Sequence, residues 1–226
     1  MTPPFHDRAD AGRKLAAVLH EYAGRPDVRV LALPRGGVPV GYEVARALGA
    51  PLDIFLVRKL GLPGHEEFAM GAIASDGVVV LDDDVIRKLR VDRRSLDSVI
   101  ARERRELERR AIAYRGVRPP TDIRGCIVIV VDDGLATGST MRAAVLALRR
   151  EEPQRIVIAV PVAAPATCRS FRQGEDAADE VVCLVTPEPF QAVGLWYTVF
   201  DQTSDDEVRS LLAAALSNER SNIASI

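Results

Sequence analysis

The chain has 226 residues, and its 30 lysines and arginines nearly balance 32 aspartates and glutamates, which gives a net charge of −2 and a pI near 6.0. This balance gives no electrostatic case for nucleic acid, and no apolar run has the length of a membrane span or the character of a signal peptide. The three cysteines lack metal-ligand spacing, so we expect reduced thiols without disulfides in a soluble, cytoplasmic protein whose residues 1–226 form a single domain.

Apolar strand patterns alternate with amphipathic helix patterns along the chain. This alternation predicts an α/β fold with a mostly parallel, Rossmann-like sheet, flanked by helices and joined by right-handed crossovers. In chain order we predict a helix over 7–22, a strand at 28–33, a helix over 40–48, strands at 52–57, 69–74 and 78–81, a helix over 94–114, a linker at 119–120, a strand at 126–131, a helix over 139–150, a strand at 156–160, a helix over 164–171, a strand at 181–185 and a helix over 208–216.

A glycine-containing loop follows the first predicted strand. Pro34, Arg35, Gly36 and Gly37 lie between that strand and the next helix. Two glycines beside an arginine supply backbone N–H groups and a guanidinium, which suit an anionic ligand such as a phosphate or a pyrophosphate. Alone, this sequence is an ordinary turn, but its place between a strand and a helix favours a binding function.

A basic segment follows the next predicted strand. Residues 57–67 read VRKLGLPGHEE, and the glycines and proline predict a loop that can move. Arg58 and Lys59 give this loop two cations. Taken by themselves, these cations are explained as well by a solvated basic turn as by a binding function.

The most informative stretch is residues 128–140, VIVVDDGLATGST. The apolar run at 126–131 predicts a strand that is covered on both faces. Asp132 and Asp133 therefore fall at the carboxyl end of this strand, where open α/β sheets bind ligands. A phosphate suits the next residues, because glycines allow close approach, hydroxyls donate hydrogen bonds and a helix begins with free N–H groups. A strand, a turn and a capped helix without function is the alternative. The small and hydroxyl residues are Gly134, Ala136, Thr137, Gly138, Ser139 and Thr140.

The stretch at 128–140 closely resembles the phosphoribosyl pyrophosphate (PRPP) binding sequence of type I phosphoribosyltransferases. The Arg35-Gly36 pair and the segment at 57–64 are similar to loops of the adenine phosphoribosyltransferases. The resemblance implies the type I phosphoribosyltransferase fold and Mg²⁺-dependent transfer of the 5-phosphoribosyl group from PRPP to a nitrogen acceptor, with release of pyrophosphate. A nucleobase is the expected acceptor, as in nucleotide salvage, and a homodimer is the expected assembly.

The resemblance also implies a role for each residue of these segments. Asp132 and Asp133 would hold the 2- and 3-hydroxyls of ribose and reach Mg²⁺ indirectly. Arg58 and Lys59 would neutralise the leaving pyrophosphate while their loop closes and excludes water, and these four residues are the expected catalytic set. The expected substrate-binding residues are Arg35, Gly36 and Gly37 at the pyrophosphate and Ala136, Thr137, Gly138, Ser139 and Thr140 at the 5-phosphate.

The sequence does not identify the acceptor. Enzymes acting on hypoxanthine or guanine carry an aspartate as general base where this chain has Ala136, and the Glu-Tyr pair of the adenine enzymes has no match in ASDG at 74–77. Four other groups could supply a base, although each of them alone is expected to be a surface group. They are His65, Glu66, Glu67 and Asp76.

Two segments go beyond the matching motifs. Residues 76–125 are long for this part of the chain, so we expect an inserted hairpin and helix there. Residues 187–203 contain prolines and aromatics, and family members place a small C-terminal hood over the acceptor. Phe190 and Trp196 would either stack on a flat acceptor ring or pack in the core. The sequence at 204–207 predicts a capping box for the last helix.

Two other classes of function stay open. A PRPP-sensing regulator or binding module would keep the fold without transfer, but the sequence has neither a separate helix-turn-helix domain nor a strongly basic face. A phosphatase or a sugar-phosphate isomerase could use the phosphate cradle, but neither needs three anion sites. The expected partners are therefore PRPP and a small nitrogen-containing acceptor, with no nucleic acid and no membrane.

Overall fold

The computed structural model describes residues 3–62, 65–74, 77–174 and 177–223. Helices and strands alternate over most of this chain, as the sequence predicts. The elements in chain order are α1 (Arg8–Val18), a 3-10 helix (His20–Tyr22), β1 (Val28–Ala32), α2 (Gly37–Leu48), β2 (Leu52–Ile54), β3 (Val57–Leu62), β4 (His65–Ala74), β5 (Val79–Leu81), α3 (Asp83–Lys88), α4 (Arg93–Arg115), β6 (Ile127–Val131), α5 (Ser139–Arg150), β7 (Arg155–Val162), α6 (Pro165–Gln173), β8 (Glu180–Val185), a second 3-10 helix (Val193–Trp196) and α7 (Asp205–Ile223).

The central sheet has five parallel strands in the order β2-β1-β6-β7-β8. Strand β6 lies in the middle, and all five of its residues are buried, which explains its unbroken β-branched sequence. Its side chains alternate between two cores. Ile129 packs on the side of α1, α2 and α7, whereas Val130 packs on the side of α5 and α6. The predicted parallel α/β sheet flanked by helices is therefore confirmed.

The basic segment is a strand, so its prediction as a loop is wrong. Arg58 and Lys59 lie in β3, which pairs antiparallel with β4 and, through β4, with β5 in a second, three-stranded sheet. The register shifts on both sides of Gly61, so this glycine forms an irregularity within the strand pair instead of ending it. The predicted Pro63 and Gly64 of the loop lie outside the described residues.

The predicted insertion at 76–125 contains β5, α3 and α4, of which the sequence reading missed α3. A buried ion pair ties the end of α4 to the central sheet. Arg115 Nε donates to Asp53 Oδ1 at 2.8 Å, and Arg115 also contacts the carbonyl oxygen of Ile54. Asp53 Oδ2 accepts hydrogen bonds from the amide and hydroxyl of Thr121, both at 3.1 Å. The insertion is thus fixed to strand β2 by a charge pair with nearly complete hydrogen bonding.

The expectation of three reduced thiols is wrong for two of them. Cys168 on α6 and Cys183 on β8 form a disulfide, whereas Cys126 is free. The two paired residues are 15 positions apart in sequence. Their pairing depends on α6 packing against β8, and the spacing of the cysteines in the sequence does not reveal that contact.

Helix α7 begins as its capping box predicts. The Glu207 amide donates to Ser204 Oγ at 3.1 Å, so one of the free N–H groups of the first turn is satisfied. Within the described residues, no helix combines the length and the apolar character that crossing a bilayer requires.

Replacing Arg115 by alanine tests the anchor of the insertion. The change leaves a buried carboxylate without its cation, so we expect the free energy of unfolding to fall by about 3 kcal/mol or more in denaturant titrations. Arg109→Ala on the exposed side of the same helix is the matched control, and it should change that free energy by no more than about 0.5 kcal/mol. Equal losses for both variants would contradict the assigned role of Arg115.

Candidate active site

The pairing of β1 with β6 brings two predicted motifs together. The strands are parallel and in register from Val28 opposite Ile127 to Ala32 opposite Val131, so the loops after them leave the sheet side by side. Gly36 makes the closest approach. A Cβ atom at this position would lie 2.0 Å from Oδ2 of Asp133, so only glycine fits against the carboxylate.

The second glycine of this loop is also required by packing. A Cβ atom at Gly37 would lie 2.7 Å from the carbonyl oxygen of Val131 and 2.9 Å from Cα of Asp132. The Gly37 amide donates to the carbonyl of Leu33, so it is not available to a ligand. The contribution of Gly37 to the site is therefore the close packing of the two loops and not a free donor.

The loop between β6 and α5 has the form of an anion site. Gly138 adopts a left-handed conformation with φ of 71° directly before the first residue of α5. Thr167 Oγ1 donates to the carbonyl of Ala136 at 2.6 Å, which fixes the carbonyl side of the loop. The amide sides stay available, because within the described part of the chain no partner accepts from the N–H groups of Ala136, Thr137, Gly138 and Thr140.

The two carboxylates are electrostatically costly. Burial raises the pKa of Asp132 well above its ordinary value, and the neighbouring Asp133 carboxylate raises it further. Burial also raises the pKa of Asp133, while the guanidinium of Arg8 opposes the increase. The Asp133 amide donates to Asp132 Oδ1 at 2.9 Å, which orients that side chain. The two carboxylates can therefore accept hydrogen bonds from a ligand or lie next to a cation.

Arg8, at the start of α1, is a site residue that the sequence reading missed. Its Nε and Nη2 both lie 2.9 Å from Asp133 Oδ2, and its Nη1 donates to the carbonyl of Asp201 at 2.6 Å. The guanidinium also lies 3.9 Å from the ring centre of Phe200. Asp133 is 125 residues away in sequence, so no local pattern announces this contact.

The predicted cation Arg35 lies at the margin of the site. Its Nη1 is 3.6 Å from Asp205 at the start of α7, and its peptide bond with Pro34 is cis. Tyr114 at the end of α4 donates to the same carboxylate at 2.7 Å. Arg35 is exposed enough to exchange this surface partner for a bound anion.

Arg58 and Lys59 line a different part of the site. Together with Thr140 they border a cavity of about 280 Å³ between the antiparallel pair β3–β4, called the hairpin below, α4 and the first turn of α5. Arg58 also forms an ion pair with Glu103 of α4. Strand β3 is therefore brought next to the loop at 136–140, although Asp132 and Asp133 do not line the same cavity.

The hood segment lies against the loop after the carboxylates. A Cβ atom at Gly134 would lie 2.6 Å from Val193, and Tyr197 donates to the carbonyl of Asp133 at 2.6 Å. Phe190 and Trp196 pack, partly buried, against the cluster that includes Tyr197. The buried Trp196 Nε1 has no hydrogen-bond partner in the described part of the chain.

Four residues are candidates for a general base. The side chains of His65, Glu66 and Glu67, and all of Asp76, lie outside what the structure describes. Among the described residues, no group of three or more His, Cys, Asp or Glu side chains is arranged to hold a metal ion. A hard cation that is carried mainly by substrate phosphates needs only one or two carboxylates, which Asp132 and Asp133 can supply.

Replacing Asp132 by asparagine should stabilise the protein. The folded-state pKa of Asp132 lies above the ordinary value of 3.8, so the folded state holds the extra proton and loses stability as pH rises through that interval. Asparagine keeps an oxygen for the Asp133 amide and removes the buried charge. In denaturant titrations at pH 7 we expect the free energy of unfolding to rise, and this gain should shrink as the pH falls towards 3.8.

Asp179 provides a control of opposite sign. Hydrogen bonds from Arg149 and from the Ile156 amide outweigh the effect of burial and lower its pKa. Asp179→Asn should therefore reduce stability at pH 7. Destabilisation by Asp132→Asn at neutral pH would show that the Asp132 carboxylate is well accommodated without a ligand.

The chain is similar to known proteins over most of its length. The family model described as "Phosphoribosyl transferase domain" matches residues 5–184. A protein of Mycobacterium tuberculosis strain H37Rv, named "Putative phosphoribosyl transferase Rv0571c", and its counterpart in strain CDC 1551 are each 48% identical to the chain over 211 residues. These matches cover 93% of this chain but 47% of each relative, so the chain spans about half the length of both.

A solved structure shows the same overall fold. The crystal structure of TT1426 from Thermus thermophilus is 43% identical in sequence and superposes with a TM-score of 0.82. The match covers 93% of this chain and 98% of the TT1426 chain. The family model covers the sheet from β1 to near the end of β8, including both loops that meet at Gly36 and Asp133. The chain therefore belongs to the phosphoribosyl transferase family.

Proposed function

We propose that this chain transfers the 5-phosphoribosyl group of PRPP to a nitrogen acceptor, such as a nucleobase, and releases pyrophosphate. The observation that carries the proposal is the run of N–H groups at 136–140, directly after two carboxylates, of which four have no partner in the described part of the chain. Free N–H groups at a helix start suit a phosphate, and carboxylates suit hydroxyls. A phosphorylated pentose has both kinds of group at opposite ends.

In the proposed reaction the bond between C1 of ribose and the pyrophosphate oxygen breaks, and a bond from C1 to the acceptor nitrogen forms. The bonding electron pair leaves with pyrophosphate, and the acceptor nitrogen loses its proton to solvent or to a base. Asp132 and Asp133 orient the sugar through its hydroxyls, while the 136–140 loop anchors the 5-phosphate. Catalysis then rests on position and on charge stabilisation.

The negative charge that develops on pyrophosphate needs cations. Arg35 lies beside the glycine loop, and Arg58 and Lys59 lie on the hairpin that borders Thr140. Mg²⁺, when bound with the donor, would neutralise phosphate charge, and the oxygens of Asp132 and Asp133 are the protein groups suited to approach it. One oxygen of Asp133 is already engaged by Arg8, so its other oxygen is the one available to ribose.

The acceptor would lie under the hood. Val193 and Tyr197 contact the loop after β6, which brings the hood close to the position of C1 expected from the two carboxylates. We assign Phe190 and Trp196 a supporting function in shaping the hood, since both are partly buried and pack against the cluster that includes Tyr197. Ala136 offers no base, so we propose an acceptor that loses its proton readily.

Turnover tests the proposal directly. The protein is incubated with PRPP, Mg²⁺ and a panel of nucleobases and amines while pyrophosphate release is followed, and at least one acceptor should give turnover. Asp133→Asn should reduce kcat/KM by roughly 10- to 100-fold, since it removes a charged hydrogen-bond acceptor from the sugar. Asp122→Asn, in an exposed loop, is the control and should retain activity.

A binding measurement separates an enzyme from a PRPP-sensing module. Calorimetric uptake of PRPP without turnover on any acceptor would support the sensor, and absence of uptake would exclude both. Gly36→Ala should weaken uptake at least tenfold, because its Cβ would displace the Asp133 carboxylate. Unchanged uptake by this variant would argue that the two loops do not form one site.

A further inference from the structure

The inserted helix α4 reaches the basic strand through one buried carboxylate. Glu103 is 5% exposed, although it lies on a helix whose other acidic side chains are more accessible. Its two oxygens contact two arginines: Arg58 Nε on the hairpin and Arg102 Nε at 2.9 Å on α4 itself. Burial alone would raise the pKa of Glu103, but the hydrogen bonds from Arg102 and Arg58 outweigh it, so the group stays ionised.

The geometry of these contacts leaves both arginines able to bind an anion. Each guanidinium uses Nε for Glu103, and neither has another hydrogen bond from its terminal nitrogens among the described side chains. A guanidinium has five N–H donors, so the pair of terminal nitrogens that grips phosphate remains open on each. Glu103 thus contacts each guanidinium through its Nε atom.

Both arginines line one cavity. Arg58, Lys59, Arg102 and Glu103 all line the cavity that Thr140 closes on the side of α5. Three cations against one carboxylate give this lining an excess of two positive charges. Such an excess favours a ligand with several negative charges, and the phosphoryl groups of a diphosphate present them in a compact form.

We propose that Glu103 is a positioning residue by which the insertion presents Arg58 and Arg102 as a pair to the pyrophosphate end of the donor. The inference rests on the proposed function and assigns a purpose to α4. Without Glu103 the two guanidinium groups would repel each other and lose their common orientation. Arg102 then joins Arg58 as a phosphate-binding residue.

Charge and position can be separated by two substitutions. Glu103→Asp keeps the charge but is one methylene shorter, so it cannot reach both Nε atoms, and Glu103→Gln keeps the length but loses the charge. We expect calorimetry with PRPP and Mg²⁺ to show roughly tenfold weaker binding for Glu103→Asp, since a charge-assisted contact is misplaced. Glu106→Asp on the same helix should bind within about twofold of wild type, because the partners of Glu106 in the described part of the chain are Arg109 and Arg110.

A mutant cycle shows whether Glu103 acts through the two arginines. In a background that carries both Arg58→Gln and Arg102→Gln, Glu103→Asp should add less than about a twofold further loss, whereas a general disturbance of the fold would multiply the effects. Thermal unfolding of each variant identifies any that fail to fold. Arg102 lies at a more exposed position than Arg58, and Arg102→Gln should by itself weaken PRPP binding severalfold.

Three results would overturn this inference alone: wild-type affinity in Glu103→Asp, tighter binding in Glu103→Gln, or independent effects in the cycle. Tighter binding would mean that Glu103 competes with the phosphates for Arg58. Failure of the wild-type protein to take up PRPP would overturn the proposed function as well, so the two failures are distinguishable.

Discussion

The site depends on one parallel strand pairing. Strands β1 and β6 are nearly 100 residues apart in the chain, yet they pair in register over five residues, and both have their carboxyl ends at the same edge of the sheet. The pairing is held because both faces of β6 are buried in separate cores, so a slip of one residue would exchange the two sets of side chains. Gly36 and Asp133 meet only because this register is kept.

Burial of the two carboxylates at this contact disfavours their charged forms. Asp132 and Asp133 are adjacent acids with raised pKa values, and Arg8 is the cation that opposes this effect most directly. Arg8 in turn is held by the carbonyl of Asp201 and the ring of Phe200, so the hood and the first helix support the carboxylates together. A loss of folding stability from buried carboxylates is typical of a binding site that is completed by its ligand.

Local patterns in the sequence predicted the central sheet and the start and end of α5, because buried β-branched runs and helix periodicity are local signals. The hairpin was mistaken for a loop, since a glycine can sit at an irregularity within a strand pair as well as in a turn. Arg8, Glu103 and the Asp53–Arg115 pair could not be foreseen, because each depends on a partner at least 45 residues away in sequence. The disulfide between Cys168 and Cys183 was missed for a related reason, as it follows from helix packing.

A structure of the protein with PRPP and Mg²⁺ bound would locate both ends of the sugar phosphate at once. We expect the 5-phosphate within hydrogen-bond distance of the N–H groups at 136–140 and the ribose hydroxyls at Asp132 and Asp133. A donor bound elsewhere on the protein, or carboxylates that still face only Arg8 and each other beside a bound donor, would contradict this expectation.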